Sequence, residues 1–243
     1  EHMEPTQSAQ AKRTELQMAR SMCWHCQSEA HGEYLCGRCV KVQPLSADLD
    51  YFRCLGLPRL LTIDAEALES KFYEMSRLFH PDFYQDKSET ERAISLGNSA
   101  MLNTAYRTLK DPVRRAEYLV QLEAGSAKDI RTQPPADLFE QILELQDDLN
   151  AFRAASATRA SPELADLRAK LNAERAALEV RRQDMESRLA ELFGVWDRLQ
   201  GGGHAAAADG EREKEDVLRD LREILSNRTY LRNIVDDLVD TMG

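Results

Sequence analysis

Pro81 decides where this chain must turn. Leu68, Phe72, Met75 and Phe79 recur at steps of four, three and four, the spacing of one apolar stripe on a helix. Asp64 stands where a capping side chain is wanted. A proline at 81 lacks an N–H and drives His80 out of the α region, so the helix predicted from about Asp64 ends there. A polar loop follows, and a second periodic segment from about Ser88 to Lys110 turns Ile94, Met101, Leu102, Ala105 and Leu109 inward. Two antiparallel helices displaying His80-Pro81-Asp82 at their junction are the expected centre of the molecule.

The rest of residues 44–125 completes a small helical core. Asp50 to Leu57 reads as a short helix stopped by Gly56 and Pro58. Asp111-Pro112 is a stop and a restart, with Asp111 placed to cap and Pro112 at the first helical position. The helix so begun runs through Arg114, Arg115 and Tyr118 to Leu122 and ends near Gly125.

Four of the five cysteines fall within seventeen residues as Cys23-Trp24-His25-Cys26 and Cys36-Gly37-Arg38-Cys39, nine residues apart. Paired CxxC turns supply four thiolates to one tetrahedral ion. Residues 22–43 are therefore read as a structural zinc module, with iron in the same cage as the rival. Gly37 is expected to ease the second turn. A closed four-sulfur site leaves no position for water, so no catalysis is expected there. His25 and His31 are read as solvent-exposed neighbours, and Cys54, beside Leu55, as a small buried hydrophobe. A redox dithiol would need a single CxxC on a βαβ scaffold, which is absent from the pattern.

From residue 136 onward the sequence is helical with two interruptions. Leu138, Ile142, Leu145, Leu149 and Phe152 form a core stripe, with Phe139 and Leu143 beside it and Glu144 and Asp147 on that same side. A second helix over Pro162–Leu199 carries Leu164, Leu171, Leu178, Met185, Leu192 and Leu199 at intervals of seven. Its companion stripe is interrupted by Glu174, Arg181 and Arg188, which favours a bundle helix with a long arm over a dimeric coiled coil. Gly201 to Gly210 reads as a flexible link, and Glu211–Met242 as a last helix with Val217, Leu221, Ile224, Leu231, Val235, Leu238 and Met242 on one face. The expected architecture is all-α. Residues 1–21 form an expression-tag remnant and polar tail without expected structure, residues 22–43 the metal module and 44–125 the first helical domain. Residues 126–135 form a linker, and 136–243 a three-helix bundle.

These residues resemble the HscB/Jac family, J-domain co-chaperones of iron–sulfur cluster biogenesis. The resemblance is carried by Asp50-Tyr51-Phe52, Gly56-Leu57, His80-Pro81-Asp82, Leu102-Asn103-Thr104-Ala105-Tyr106, Asp111-Pro112 and Arg115-Ala116-Glu117-Tyr118-Leu119. It covers the chain from about Asp48 to the C-terminus, and the double CxxC resembles the zinc module of a subset of the family. It implies that His80, Pro81 and Asp82, with Lys71 and Arg77, engage a DnaK/HscA-type chaperone and stimulate its ATP hydrolysis. It also implies that Phe139, Leu143, Glu144, Asp147 and Tyr230 hold the cluster scaffold protein. The chain departs from the J-domain pattern in carrying Glu66, Glu69 and Glu74 on the docking helix and Phe83 after the tripeptide, so weaker electrostatic steering is expected.

The alternatives differ in kind. One is a J-domain co-chaperone for another client, recruited through the bundle or the zinc module. The other is an enzyme or nucleic-acid module built on the four cysteines. A formal charge of −10 and the lack of a clustered acid–base or nucleophile set argue against the second, so neither an enzyme nor a nucleic-acid partner is expected. No apolar run is long enough to span a bilayer, and no membrane partner is expected. Reduced thiols suit a bacterial cytoplasm or a mitochondrial matrix. Self-association through the metal module or the long helix stays open.

Overall fold

The computed structural model describes residues 22–30, 34–46, 48–123, 135–158, 161–201 and 207–242. The expectations for the N-terminal tail, His31 and most of the 126–135 linker lie outside these residues. Among the described residues there are seven α-helices: α1 Tyr51–Cys54, α2 Ala65–Phe79, α3 Glu89–Lys110, α4 Pro112–Glu123, α5 Phe139–Thr158, α6 Ser161–Gly201 and α7 Ala207–Met242. Among the described residues extended pairing is confined to two isolated bridges, Met22 with Glu29 and Leu35 with Val42. The molecule is all-α, as the periodicities require.

The residues fall into two compact units, one comprising those up to Arg59 with Ile63–Asp111, the other Leu60–Thr62 with everything from Pro112. In the first, local chemistry sets each helix boundary. Asp50 caps α1 by accepting from the Arg53 amide, and Asp64 caps α2 by accepting from Ala67. Ser88 and Glu91 close a reciprocal capping box at the start of α3. Gly56, at φ +65°, takes the left-handed conformation that turns the chain after α1. The predicted stripe points inward: Leu68, Met75 and Phe79 are buried against Leu102, Ala105 and Leu109, and Phe72 stacks on Tyr106 at 4.2 Å. Cys54 is fully buried, as expected of a small hydrophobe.

The second unit is the helical bundle, with α4 packed on α7. Its core joins Leu145, Leu149 and Phe152 of α5, Leu171, Leu178 and Met185 of α6, and Leu231, Leu238 and Met242 of α7. Two of the three charged residues that interrupt the seven-residue pattern on α6 reach other elements, while Arg188 pairs with Glu191 on α6 itself. Glu174 accepts from Gln141 at 2.7 Å, and Arg181 pairs with Asp137. Toward its C-terminus the buried face of α6 shifts to Leu189, Leu192, Phe193 and Trp196. A helix of 3.6 residues per turn drifts against a repeat of seven, so a strict heptad reading finds Leu192 and misses Leu189, Phe193 and Trp196.

Two further details correct the sequence reading. The glycine-rich link is shorter than Gly201 to Gly210, because α7 begins at Ala207 and Gly210 lies within it. Ala207 and Ala208 are the strongest of helix formers, and one internal glycine costs only about 1 kcal/mol. Gly37 is not the residue that closes the second cysteine turn. The left-handed position falls on Val40, at φ 57°. In the first turn the matching position is Gln27, at φ 56°.

A candidate metal centre and the His-Pro-Asp loop

Each CxxC turn is built the same way. The amide of the residue after the second cysteine donates back to the carbonyl of the first cysteine: Gln27 to Cys23 at 3.0 Å, and Val40 to Cys36 at 2.8 Å. That closure demands positive φ at Gln27 and Val40, and it turns both sulfurs of a pair inward. The four sulfurs lie within 4.8 Å of one another. Cys23 Sγ is 3.6 Å from Cys39 Sγ, and Cys26 Sγ is 3.7 Å from Cys36 Sγ. A tetrahedron with metal–sulfur bonds of about 2.3 Å has edges of about 3.8 Å, so the donor set fits one ion and offers it no fifth ligand.

Hydrogen bonds favour the thiolate at Cys26 and Cys36. Ser28 Oγ lies 3.0 Å from Cys26 Sγ and 3.4 Å from Cys36 Sγ. The Gln43 side-chain amide donates to Cys23 Sγ at 3.3 Å. The Ser28 hydroxyl, with the amides of Cys39 and Arg38, pulls the Cys36 thiol down to about 6. Desolvation pushes Cys39 the other way, up to about 12. Among the described residues, the apolar cluster around the sulfurs is the cysteines with Ala30, a small core for a fold without a cross-link.

The His-Pro-Asp loop is fixed at its root and open at its tip. His80 leaves the helix with extended angles, φ −60° and ψ 123°, as the residue before a proline must. Pro81–Tyr84 then forms a 3₁₀ turn in which the Phe83 amide donates to the His80 carbonyl at 3.0 Å. The Phe79 carbonyl, freed by the helix stop, accepts the Ser95 and Ser99 hydroxyls of α3, each at 2.7 Å. Tyr84 ties in by donating its hydroxyl to the Leu78 carbonyl at 2.8 Å. His80 Nδ1 accepts from the Asp82 amide at 3.4 Å, which leaves the proton of a neutral ring on Nε2. The Asp82 carboxylate is 70% exposed.

On one side of this tip Tyr73, Ser76, Arg77, His80, Asp82 and Phe83 line a shallow groove of about 280 Å³. Phe83 is 66% exposed and stands edge-on to His80. Lys71 and Arg77 differ. Lys71 pairs with Glu74 at 3.3 Å, whereas Arg77 is exposed at the groove.

Residues 50–118 match the DnaJ domain family. Over 105 residues the chain is 34% identical to the iron–sulfur cluster co-chaperone protein HscB of Mus musculus, covering 42% of this chain and 45% of that one. Over 110 residues it is 39% identical to the co-chaperone protein HscB homolog of Vibrio cholerae, covering 44% and 64%. The chain carries a DnaJ domain and is similar to co-chaperones named HscB. Over 128 residues it is 31% identical to the HscB homolog of Arabidopsis thaliana, covering 53% and 50%, so the match spans roughly half the length of these relatives. The crystal structure of human co-chaperone protein HscB shares the fold, with a TM-score of 0.62 and 21% identity over 90% of this chain and 96% of that one.

The remaining predicted site residues lie on the bundle. On α5, Ile142 and Leu145 are buried while Phe139 and Leu143 are 52% and 48% exposed, with Glu144 and Asp147 exposed beside them. Tyr230 is half-buried on α7, and among the described residues it has no hydrogen bond or ring contact to the α5 stripe. Among the described residues no helix is long and apolar enough to cross a membrane.

Sequence reasoning missed the residues that fasten the cysteine knuckle to the DnaJ domain: Tyr34, Lys41, Gln43, Glu91 and Asn98. The Ser-x-x-Glu spacing of Ser88 and Glu91 is a readable capping signature. Nothing local announces the long-range partners.

Proposed function

We propose that the chain is a co-chaperone for iron–sulfur cluster transfer. Its J-domain, residues 44–125, stimulates ATP hydrolysis by a DnaK-type chaperone, and its bundle, residues 136–243, holds the cluster scaffold protein. The observation that carries this reading is the open His80-Pro81-Asp82 tip on a firmly hydrogen-bonded root, in a chain that matches proteins named as HscB co-chaperones. Asp82 offers an exposed carboxylate to a partner guanidinium, a charge-assisted contact that an amide cannot equal. Arg77 supplies positive charge at the groove, while Tyr73 and Phe83 add apolar surface. Lys71, held by Glu74, contributes less than its charge suggests.

The scaffold reading rests on the α5 face. Phe139 and Leu143 are large apolar groups the core does not use, flanked by Glu144 and Asp147, a composition suited to a helix-face docking site. Tyr230 would join it from α7. The four cysteines hold zinc, whose role is to cross-link the knuckle. Such thiols belong in a reducing compartment, the cytoplasm of a bacterium or a mitochondrial matrix.

Single-turnover ATP hydrolysis by the cognate DnaK-type chaperone, with and without scaffold protein, tests the reading. The unmodified chain should accelerate hydrolysis and Asp82→Asn should not. Equal stimulation by the two would remove the J-domain role, and a chain that stimulates without binding scaffold protein would point to another client.

A further inference from the structure

The cysteine knuckle touches the DnaJ domain on both sides of the His-Pro-Asp loop. Upstream, the Tyr34 ring meets Phe79 edge-on, with centroids 5.5 Å apart and planes at 81°. Phe79 is the last helical residue before His80, and its carbonyl is the anchor taken by Ser95 and Ser99. Downstream, Lys41 Nζ donates to Glu91 Oε1 at 2.9 Å. The other oxygen of Glu91 accepts the Ser88 backbone amide at 3.3 Å, closing the capping box that starts the helix after the loop, and also accepts the Ser88 hydroxyl at 2.8 Å. Between these points buried Asn98 holds the segment leaving the knuckle. It donates to the Gln43 carbonyl at 2.8 Å and accepts from the Leu45 amide at 2.9 Å.

These contacts trace back to the sulfurs. The Gln43 amide donates both to Cys23 Sγ, at 3.3 Å, and to the Lys41 carbonyl, at 2.8 Å. The Gln43 backbone amide donates to the Tyr34 carbonyl at 2.9 Å. One side chain and its own backbone thereby tie a metal-ligand sulfur to both residues that reach the loop. Among the described residues, the apolar cluster around the sulfurs is small, the cysteines with Ala30, and the knuckle carries a β-branched residue, Val40, at positive φ. Its shape, and with it the positions of Tyr34 and Lys41, depends on the ion that joins the four sulfurs.

We propose that the knuckle is a brace for the His-Pro-Asp loop, with Tyr34, Lys41 and Glu91 as positioning residues, so that metal occupancy sets how firmly the loop is presented. This deepens the proposed co-chaperone function and rests on it for its consequence, though not for its physical content. A loop that is correctly arranged only part of the time weakens apparent docking in proportion, without altering what the docked complex does. Loss of the brace therefore raises the concentration of chain needed for half-maximal stimulation and leaves maximal stimulation unchanged.

The test uses the full chain, zinc-loaded or stripped by a chelator under reducing conditions, with metal content measured in each. Hydrogen exchange is followed at the amides of Phe83, Lys87, Glu91 and Arg92. Stripping should accelerate exchange there about tenfold. In the zinc-loaded chain, Lys41→Met combined with Tyr34→Leu should reproduce most of that acceleration with zinc retained, and Lys41→Arg should restore part of it. Half-stimulating concentration should rise severalfold in the double variant at constant maximal rate. Unchanged exchange at these amides after verified zinc loss overturns the brace, and so does a double variant that matches the parent. If the zinc-loaded parent fails to stimulate any DnaK-type chaperone, the functional reading fails instead, and the exchange data still judge the brace.

Discussion

Lys41 Nζ and Glu91 Oε1 stand 2.9 Å apart across fifty residues of sequence, with the Glu91 side chain 6% exposed. A lysine two residues past the last of the four clustered cysteines thus completes the satisfaction of a buried carboxylate at the start of α3. An unpaired charge in that position would be strongly destabilising, so the pair fixes which part of the DnaJ domain the knuckle meets.

The pair sets a pH dependence. The Lys41 ammonium donating to it, helped by the Ser88 hydroxyl and amide, holds the Glu91 carboxyl below its ordinary 4.5 against the opposing pull of burial. A carboxyl whose folded value is lowered contributes stability that is present above its unfolded value and lost as pH falls through the folded one. With the intrinsic rates divided out, exchange at the Glu91 and Arg92 amides should therefore be steady from neutral pH down to about 4.5 and then accelerate as the carboxylate is protonated. In Glu91→Gln, which keeps a capping side chain, that extra acceleration should be missing. Identical profiles for the two chains would refute the assignment.

Val40 carries strain that substitution can release. A β-branched residue at φ 57° costs about 1–2 kcal/mol relative to glycine, offset by about 0.5–1 kcal/mol of glycine backbone entropy. The side chain is 70% exposed, so little packing is lost. Val40→Gly should strengthen zinc retention by roughly 0.5–1 kcal/mol, read as a slower transfer of zinc to a competing chelator. Faster transfer from the variant would mean that the valine side chain stabilises the turn.

How much was legible beforehand follows from how local each signal is. Pro81 acts on its neighbour, so the loop and the end of α2 could be placed from sequence, as could the four-sulfur site from its spacing. The inward and outward faces of α5 follow from periodicity, which separates Ile142 from Leu143. Val40 escaped because left-handed turns usually advertise themselves with glycine, and Gly37 drew the attention instead. Leu189, Phe193 and Trp196 escaped because a seven-residue template does not follow a helix of 3.6 residues per turn. Lys41 with Glu91, and Gln43 with Cys23, depend on which surfaces meet, and no residue pattern reports that.

Adjacent residues on α5 should separate stability from docking. Ile142 is 2% exposed and Leu143 48%. Ile142→Ala should cost about 2–5 kcal/mol of bundle stability, measured by thermal or denaturant unfolding. Leu143→Ala should stay within about 0.5 kcal/mol of the parent in stability. It should weaken scaffold-protein binding by about tenfold or more in a calorimetric titration, about 1.4 kcal/mol. Unweakened binding by a folded Leu143→Ala chain would take the α5 face out of the proposed docking site.

Asp197 on α6 offers a test within the second unit. Its two carboxylate oxygens accept from the backbone amides of Leu61, at 2.7 Å, and Thr62, at 2.8 Å. Leu61 itself is fully buried, and Trp196, the neighbour of Asp197, is 1% exposed. Removing the carboxylate leaves a buried N–H without an acceptor, a loss of about 1–3 kcal/mol, so Asp197→Ala should lower stability by that amount. Asp197→Asn keeps one acceptor oxygen and should lose less, because its amide nitrogen faces one of the two donors and cannot accept from it. Hydrogen exchange at Leu61 and Thr62 reports the effect directly. Both amides should lose protection in the alanine variant, and only one of them in the asparagine variant. Protection retained at both in Asp197→Ala would show that burial of Leu61 alone is sufficient to hold the segment.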